Sequence, residues 1–302
     1  MEKIHIAGFK SIYNMTLTLN PINILIGANG SGKSNFLSFF EFLKQIYSRN
    51  LQEYVALKGG LDKFLFEGRK ETPSLSAHLY FSKASGYSFT LKSGDDEFIF
   101  SEEGLWYNDN NKDISNFKSE SNLYFNDSYR SNYIKKYIES LAKYHFHDTS
   151  ANSSFTKISN IEKDIFRLYP DGHNLAAFLY QIRKTDAITY KLIIKTIQSI
   201  APYFMDFHLN PNDNGDLRLL WQDKFSDVVY SVNDLSDGTK RFIALTVLFM
   251  QPKLPQTIII DEPELGLHPA AITKLAGMIK SVSKKDCQVI IATQSTDLIS
   301  QF

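Results

Sequence analysis

Short apolar runs alternate along the chain with stretches of helical spacing. Ile22-Asn23-Ile24-Leu25-Ile26 is rich in β-branched residues and stops abruptly at Gly27, which predicts a buried strand. Asn35 to Leu43 follows with the apolar spacing of a helix. Leu75 to Phe81, Tyr87 to Leu91, Phe98 to Phe100 and Leu105 to Tyr107 predict short strands parted by Gly-, Ser- and Asp-containing turns. From Tyr129 to Leu141 and from Lys157 to Ile200 the pattern is helical, with Leu175, Phe178, Leu179 and Ile182 on one face. Leu217 to Trp221 and Val228 to Val232 return to strand. Phe242 to Met250 predicts a mostly buried helix, and Gln256 to Ile260 and Gln288 to Thr293 predict buried strands. No heptad pattern is sustained, so no long coiled coil is expected. Asn108 to Asn132, rich in Asn, Ser and Asp, is expected to be a mobile loop.

The Ile22–Ile26 strand runs into Gly27-Ala28-Asn29-Gly30-Ser31-Gly32-Lys33-Ser34, a G-x-x-x-x-G-K-S loop set between strand and helix. Glycines let backbone N–H groups curl around a phosphate, and the helix N-terminus adds partial positive charge. Lys33 would reach the β- and γ-phosphates of a nucleotide such as ATP, with Asn35 beginning the helix behind it. Ser34 would place its hydroxyl on Mg²⁺.

Far along the chain, Ile258-Ile259-Ile260 runs straight into Asp261-Glu262-Pro263-Glu264. A buried strand ending in carboxylates suits the same chemistry, because ligands of open parallel sheets lie beyond the strands' carboxyl ends. Asp261 would hold Mg²⁺ and Glu262 would take a proton from attacking water. Glu264 is read either as a further site residue or as a polar turn residue.

Between these motifs, Asn233-Asp234-Leu235-Ser236-Asp237-Gly238-Thr239-Lys240-Arg241 precedes the apolar helix, with Ser236 or Asp237 as its cap. Leu235 to Thr239 resembles the signature of ABC-type ATPases, with Asp237 where the transporters usually carry glycine. That resemblance implies a helix whose N-terminus, with Ser236 and Gly238, meets the γ-phosphate held by a second subunit. Asp237 is then expected to point away and cap its own helix. Glu264-Leu265-Gly266-Leu267-His268-Pro269 is similar to the segment after the acidic pair in OLD-like ATPases, which implies a dimer-interface role for His268; a plain turn residue is the other reading. Gln294 follows the last strand where ABC transporters carry a histidine and RecF-like and OLD-like groups tolerate glutamine. It can hydrogen-bond a γ-phosphate or water but cannot carry charge. Ile6-Ala7-Gly8-Phe9-Lys10-Ser11-Ile12 resembles the opening of SMC and RecF heads, which makes Lys10 and Ser11 candidates for phosphate or ribose binding. The resemblance covers about residues 1–60 and 230–302.

Together these motifs imply an α/β P-loop NTPase of the ABC and SMC-head kind, with an antiparallel β subdomain and a helical lid insertion. The expected division is an N-terminal lobe over 1–107, a mostly helical insertion over 108–232 and a C-terminal lobe over 233–302. The implied function is an ATP-binding, ATP-hydrolysing head that forms a homodimer around nucleotide. It would act in DNA maintenance or anti-phage defence with a separate effector such as a nuclease. A non-catalytic ATP-sensing scaffold is the alternative, and a transporter subunit fits less well because no Gln loop can be placed.

Composition narrows the partners. Among 302 residues, 33 basic side chains cancel 33 acidic ones, so any DNA contact has to be local. Arg183, Lys184, Lys191 and Lys195 are candidates for such a contact, or for a solvated helix face. His145 and His147 would share a strand face but lack a third metal ligand at a recognisable spacing. The single cysteine, Cys287, cannot form an internal disulfide. The apolar runs fall short of the ~20 residues that span a bilayer. A cytoplasmic protein without membrane contact is therefore expected, with assembly beyond a dimer left open.

Overall fold

Alternating burial builds the first strand, β1 (Lys3–Phe9): Ile4, Ile6 and Phe9 are inside, while Lys3 is exposed and His5 and Ala7 are half-buried. The computed structural model describes residues 1–82, 85–108, 110–115 and 117–302. Two compact units divide the chain, residues 1–143 and residues 144–302.

In the first unit, β1 pairs with β2 (Ile12–Thr18) as a hairpin and, on its other edge, with β4 (Ser74–Ser82). β5 (Ser85–Ser93), β6 (Phe98–Tyr107) and β7 (Asn110–Asp113) extend this to a six-stranded antiparallel sheet in the order β2-β1-β4-β5-β6-β7. β3 (Ile22–Ile26) leads through the glycine-rich loop into α1 (Lys33–Tyr47), and α2 (Leu51–Leu57) and α3 (Tyr129–Ser140) complete the unit. Helix α1 buries Phe39 and Phe42 against Phe9 and Phe64, with the Phe9 and Phe39 rings edge to face at 5.3 Å.

The segment 108–132 lies partly outside the described residues. Its described part is not a loose loop: it contains β7, and Glu103 of β6 ties it down. The Glu103 carboxylate is buried and accepts from Tyr87 Oη (2.7 Å), Ser121 Oγ and the Asn122 N–H (2.9 Å). Residues 117–127 do run without helix or strand, as composition suggested, but Ser121 and the Asn122 N–H tie them to this buried acceptor.

β8 (Leu141–Tyr144) spans the point where one unit passes to the next in sequence. In the second unit, α4 (Leu175–Thr185) and α5 (Ala187–Gln198) are separate helices, because Asp186 ends one and caps the other by accepting from the Thr189 N–H. The stretch from Lys157 to Asn174, expected to be helical, is mostly irregular, with only the short β9 (Ser159–Asn160). Asn174 holds it through its amide to the Asp164 and Arg167 carbonyls, each at 2.7 Å. Two small antiparallel sheets follow: β9 with β11 (Asp216–Leu217), and β10 (Phe204–Phe207) with β12 (Leu220–Asp223) and β13 (Val229–Ser231). The expected single strand from Leu217 to Trp221 is thus split between two sheets.

α6 (Asp237–Met250), β14 (Thr257–Asp261), α7 (Pro269–Ser283), β15 (Gln288–Thr293) and α8 (Thr296–Ile299) close the chain. β14 and β15 are parallel and almost wholly buried, in register from Thr257 with Gln288 to Asp261 with Ala292. Apolar runs such as Ile258-Ile259-Ile260 are what a strand covered on both faces needs. Cys287, just before β15, is buried, and burial pushes its thiol up to about 12. Among the described residues no helix is long and apolar enough to cross a membrane.

Candidate active site

In the first unit the loop from Gly27 to Gly32 is a tight turn closed by the Ser31 N–H on the Ala28 carbonyl at 3.2 Å. Gly30 and Gly32 hold φ of +82° and +92°, where a side chain would be strained. At Gly32 a Cβ would also stand 2.9 Å from Ser11 Oγ. Helix α1 therefore begins at a glycine with no side-chain cap and no acidic residue in its first turn. That leaves its positive end for an anion rather than for a local carboxylate. Ala28, Asn29, Ser31 and Ser34 are exposed around it. Lys33 folds back over the loop and donates to the carbonyls of Gly27 and Ala28, the latter at 2.9 Å.

Ser11 and Asn35 are brought to this loop together: Asn35 Nδ2 donates to Ser11 Oγ at 2.8 Å. Lys10 takes a different direction. Its ammonium donates to Ser38 Oγ at 2.8 Å, one turn along α1, and lies over the Phe9 and Phe64 rings. Burial holds its pKa below the ordinary lysine value, against the opposing pull of Glu41.

In the second unit the carboxylates gather where β14 and β15 end. Asp261 is the last residue of β14, and Glu262 follows with φ +40°, an unusual conformation for a non-glycine residue. The Glu262 N–H donates to the Ala292 carbonyl at 2.8 Å, which docks this turn against β15. Across it, Gln294 Nε2 donates to Glu262 Oε1 at 2.6 Å, joining two candidate catalytic side chains 32 positions apart. Glu264 is buried rather than a solvated turn residue. It accepts from the Thr293 hydroxyl, and its Oε2 is shielded from solvent without a hydrogen-bond partner. Burial pushes the Glu264 carboxyl above the ordinary glutamate range, against the Thr293 hydrogen bond.

Helix α6 starts within the signature segment. Ser236 is its N-cap, accepting from the Thr239 N–H at 3.2 Å, so the cap is Ser236 and not Asp237. Asp237 instead pairs with Lys240 at 3.2 Å, and hydrogen bonding from Thr149 and then Lys240 holds its carboxyl below the usual range. Lys240 is itself buried and donates to the Thr149 carbonyl at 2.7 Å. Arg241 donates to the carbonyls of Phe146 (3.0 Å), His147 (2.7 Å) and Leu265. The start of α6 is thus strapped both to residues 146–149 and to the turn after the acidic strand. Gly238 permits that closeness, since a Cβ there would stand 2.5 Å from the Gly266 carbonyl oxygen. His268 is the N-cap of α7, accepting from the Ala270 N–H at 3.3 Å.

Two sequence-level clusters come apart. His145 and His147 lie after β8, not on a strand, and no group of three or more His, Cys, Asp or Glu suited to a metal occurs among the described residues. Arg183 and Lys184 sit on α4 whereas Lys191 and Lys195 sit on α5. Arg183 donates to the Leu209 carbonyl at 2.7 Å and Lys184 lies over the Tyr180 ring, and with the break at Asp186 the four side chains do not share the face of one continuous helix. Sequence reasoning passed over Thr293, Lys240 and Arg241. Their signals were a hydroxyl closing an apolar strand and two cations ahead of an apolar helix.

The profile of the family described as "AAA domain, putative AbiEii toxin, Type IV TA system" matches residues 22–300. The chain belongs to that family. An OLD nuclease of Thermus scotoductus is similar at 20% identity, over 98% of this chain and 59% of the relative. The energy-coupling factor transporter ATP-binding protein EcfA of Methanocaldococcus jannaschii is 36% identical over 22% of this chain and 23% of its own length. The Old nuclease of Escherichia phage P2 is 30% identical over 29% and 17%. The chain thus spans less than two thirds of each of these curated relatives. Among solved structures, an SMC head bound to the C-terminal winged-helix domain of ScpA aligns with TM-score 0.64 at 17% identity, over 99% of this chain and 91% of that one. The SMC head domain of Thermotoga maritima aligns at 0.52 and 15%, over the same shares. The chain therefore has the α/β P-loop NTPase fold seen in SMC heads and is an AAA-family, ATPase-type domain similar in sequence to OLD nucleases.

The donor set suits Mg²⁺. Taken one by one, the Ser34 hydroxyl of the first unit and the Asp261 carboxylate of the second are oxygen donors of the kind this ion takes, phosphates and water commonly supplying the rest of its shell.

Proposed function

We propose that this chain is an ATP-binding and ATP-hydrolysing head that closes in pairs around nucleotide and acts as a switch for a separate effector. The observation that carries the reading is the Gln294–Glu262 hydrogen bond at the ends of a parallel strand pair, with Glu262 held at positive φ. In this reading Gly27 to Ser34 cradle the phosphates, Lys33 exchanges its loop carbonyls for the β- and γ-phosphates, and Ser11 and Asn35 line the loop. Ser34 and Asp261 would hold Mg²⁺, which supplies charge neutralisation at the β- and γ-oxygens. Glu262 accepts the proton of attacking water, and Gln294 orients that carboxylate. Ser236 and Gly238, at the start of α6, serve the nucleotide of a second copy. Functionally, residues 1–107, 108–232 and 233–302 act as phosphate-loop lobe, lid and signature-bearing lobe.

DNA maintenance or anti-phage defence is the proposed setting. Its support is the Thermus relative, which is named a nuclease and extends beyond the part matched here. The SMC head bound to ScpA supports a protein partner for this fold. A second reading, an ATP-sensing scaffold without turnover, is favoured by Gln294, whose amide neither carries charge nor relays a proton.

Complementation tests the paired head. Lys33→Ala loses the cradle and Ser236→Arg blocks the trans-acting helix, so each alone is inactive, while a mixed dimer keeps one composite site. Restored phosphate release in the mixture supports the proposal. An inactive mixture in which native mass measurement finds mixed dimers refutes it, and ATP-driven dimers without phosphate release select the scaffold.

A further inference from the structure

Glu264 is a buried carboxyl that the proposed mechanism does not use. It sits at the ends of β14 and β15, and one of its oxygens accepts from Thr293 Oγ1. The Thr293 hydroxyl in turn accepts from the Ser295 N–H at 2.9 Å. Gln294 lies between the two residues that this hydroxyl ties down, and it is the residue whose amide reaches Glu262. Thr293 is fully buried and Gln294 is exposed, so the chain turns sharply there from sheet interior to surface. A turn of this kind has several rotamers open to its exposed side chain unless the flanking backbone is held.

We infer that Glu264 is a positioning residue: through the Thr293 hydroxyl and the Ser295 N–H it holds the 293–295 turn so that the Gln294 amide meets the Glu262 carboxylate. Burying an acid here costs free energy that an apolar residue would avoid, and a specific hydrogen-bonded geometry is the return. Glu264 touches neither nucleotide nor water in this scheme and acts only through Thr293 and Gln294. Three residues thus link the turn after β14 to the turn after β15, a second tie besides the Glu262 N–H to Ala292 carbonyl bond. The inference deepens the proposed ATPase function and rests on it for its catalytic consequence.

The test uses the full chain and four variants: Thr293→Val, which keeps shape and removes the hydroxyl, Thr293→Ser, which restores it, Glu264→Ala and Glu264→Gln. The first readout needs no turnover. With ¹⁵N-glutamine labelling, the Gln294 side-chain NH₂ signal is assigned by its loss in Gln294→Ala. Thr293→Val and Glu264→Ala are expected to move that signal to the position of a solvated glutamine, and Thr293→Ser and Glu264→Gln to leave it in place. The second readout is ATP turnover, expected to fall about tenfold in kcat for Thr293→Val with KM for ATP within about twofold, and to recover in Thr293→Ser. An unmoved Gln294 signal in Thr293→Val and Glu264→Ala overturns the inference. So does a moved signal with unchanged kcat, which makes the contact structural only. A wild type that binds ATP without hydrolysing it sinks the proposed function instead, and the amide signal still decides whether Glu264 sets the Gln294 geometry.

Discussion

Replacing Gly238 by alanine tests the strap between the signature helix and the acidic turn. The new Cβ would stand 2.5 Å from the Gly266 carbonyl oxygen and 3.5 Å from its carbon. Carbon–oxygen contacts settle at ~3.3–3.6 Å, so the two backbones have to part by roughly 1 Å. Both contacting groups are backbone, and Arg241 ties them further by donating to the Leu265 carbonyl, so neither side yields by a rotamer change. Overpacking of this kind costs about 1–3 kcal/mol. At about 2–4 °C per kcal/mol for a unit of this size, Tm is expected to fall by several degrees. The start of α6 carries Ser236, and a displacement of about 1 Å there can lower turnover by as much as 10²-fold. Gly277 is the control. It lies exposed inside α7 with nothing within 4 Å of its added Cβ, and alanine there is expected to stabilise by about 1 kcal/mol through helix propensity. Scanning calorimetry of both variants, with phosphate release alongside, reads the opposite signs. A Gly238→Ala protein that melts within about 1 °C of wild type and hydrolyses normally would refute the close-approach argument.

Lys33→Ala removes the ammonium from the loop and is expected to weaken ATP binding at least about tenfold, as a charged hydrogen bond lost in titration calorimetry; unchanged affinity would remove the phosphate loop from the site. Glu262→Gln is expected to bind ATP while turnover drops about 10²-fold or more, because an amide cannot take the proton of water, and steady-state phosphate release within about twofold of wild type would reject the general base. Glu103 gives a pH signature. Burial raises its folded-state pKa above the unfolded one, so its favourable contribution is present below the ordinary glutamate pKa and is lost as pH climbs through the raised value. The stability difference between wild type and Glu103→Gln, from denaturant unfolding between about pH 4 and 7, is therefore expected to shift against the wild type as pH rises, and a flat difference would contradict the shift.

Local features were legible in the sequence alone. The Gly27 to Ser34 loop is contiguous, and its glycines, lysine and serine need only a strand before and a helix after, both of which the apolar spacing announces. Ile22–Ile26 and Gln288–Thr293 keep their expected bounds, and the helix ending at Met250 begins, as its cap residues suggest, at the signature. Burial period is a nearest-neighbour property of the chain, which is why such elements can be read from it.

Pairings between distant polar groups were not legible, because periodicity says which residues go inside and not which donors they meet there. Glu264 could be read in sequence as a site residue or as a polar turn residue, and it is a buried acceptor in the fold. The segment 108–132 has the composition of a loop, yet Glu103 anchors it from another strand. Asp186, one residue among helix formers, splits a run that reads as continuous and separates four basic side chains. Gly238 needs to be glycine only because Gly266 comes within reach of it, and Gln294 meets Glu262 only because β14 and β15 run parallel and end level. Each of these depends on long-range register, where the cost of an unsatisfied buried group selects the partner after the apolar pattern has already chosen the fold.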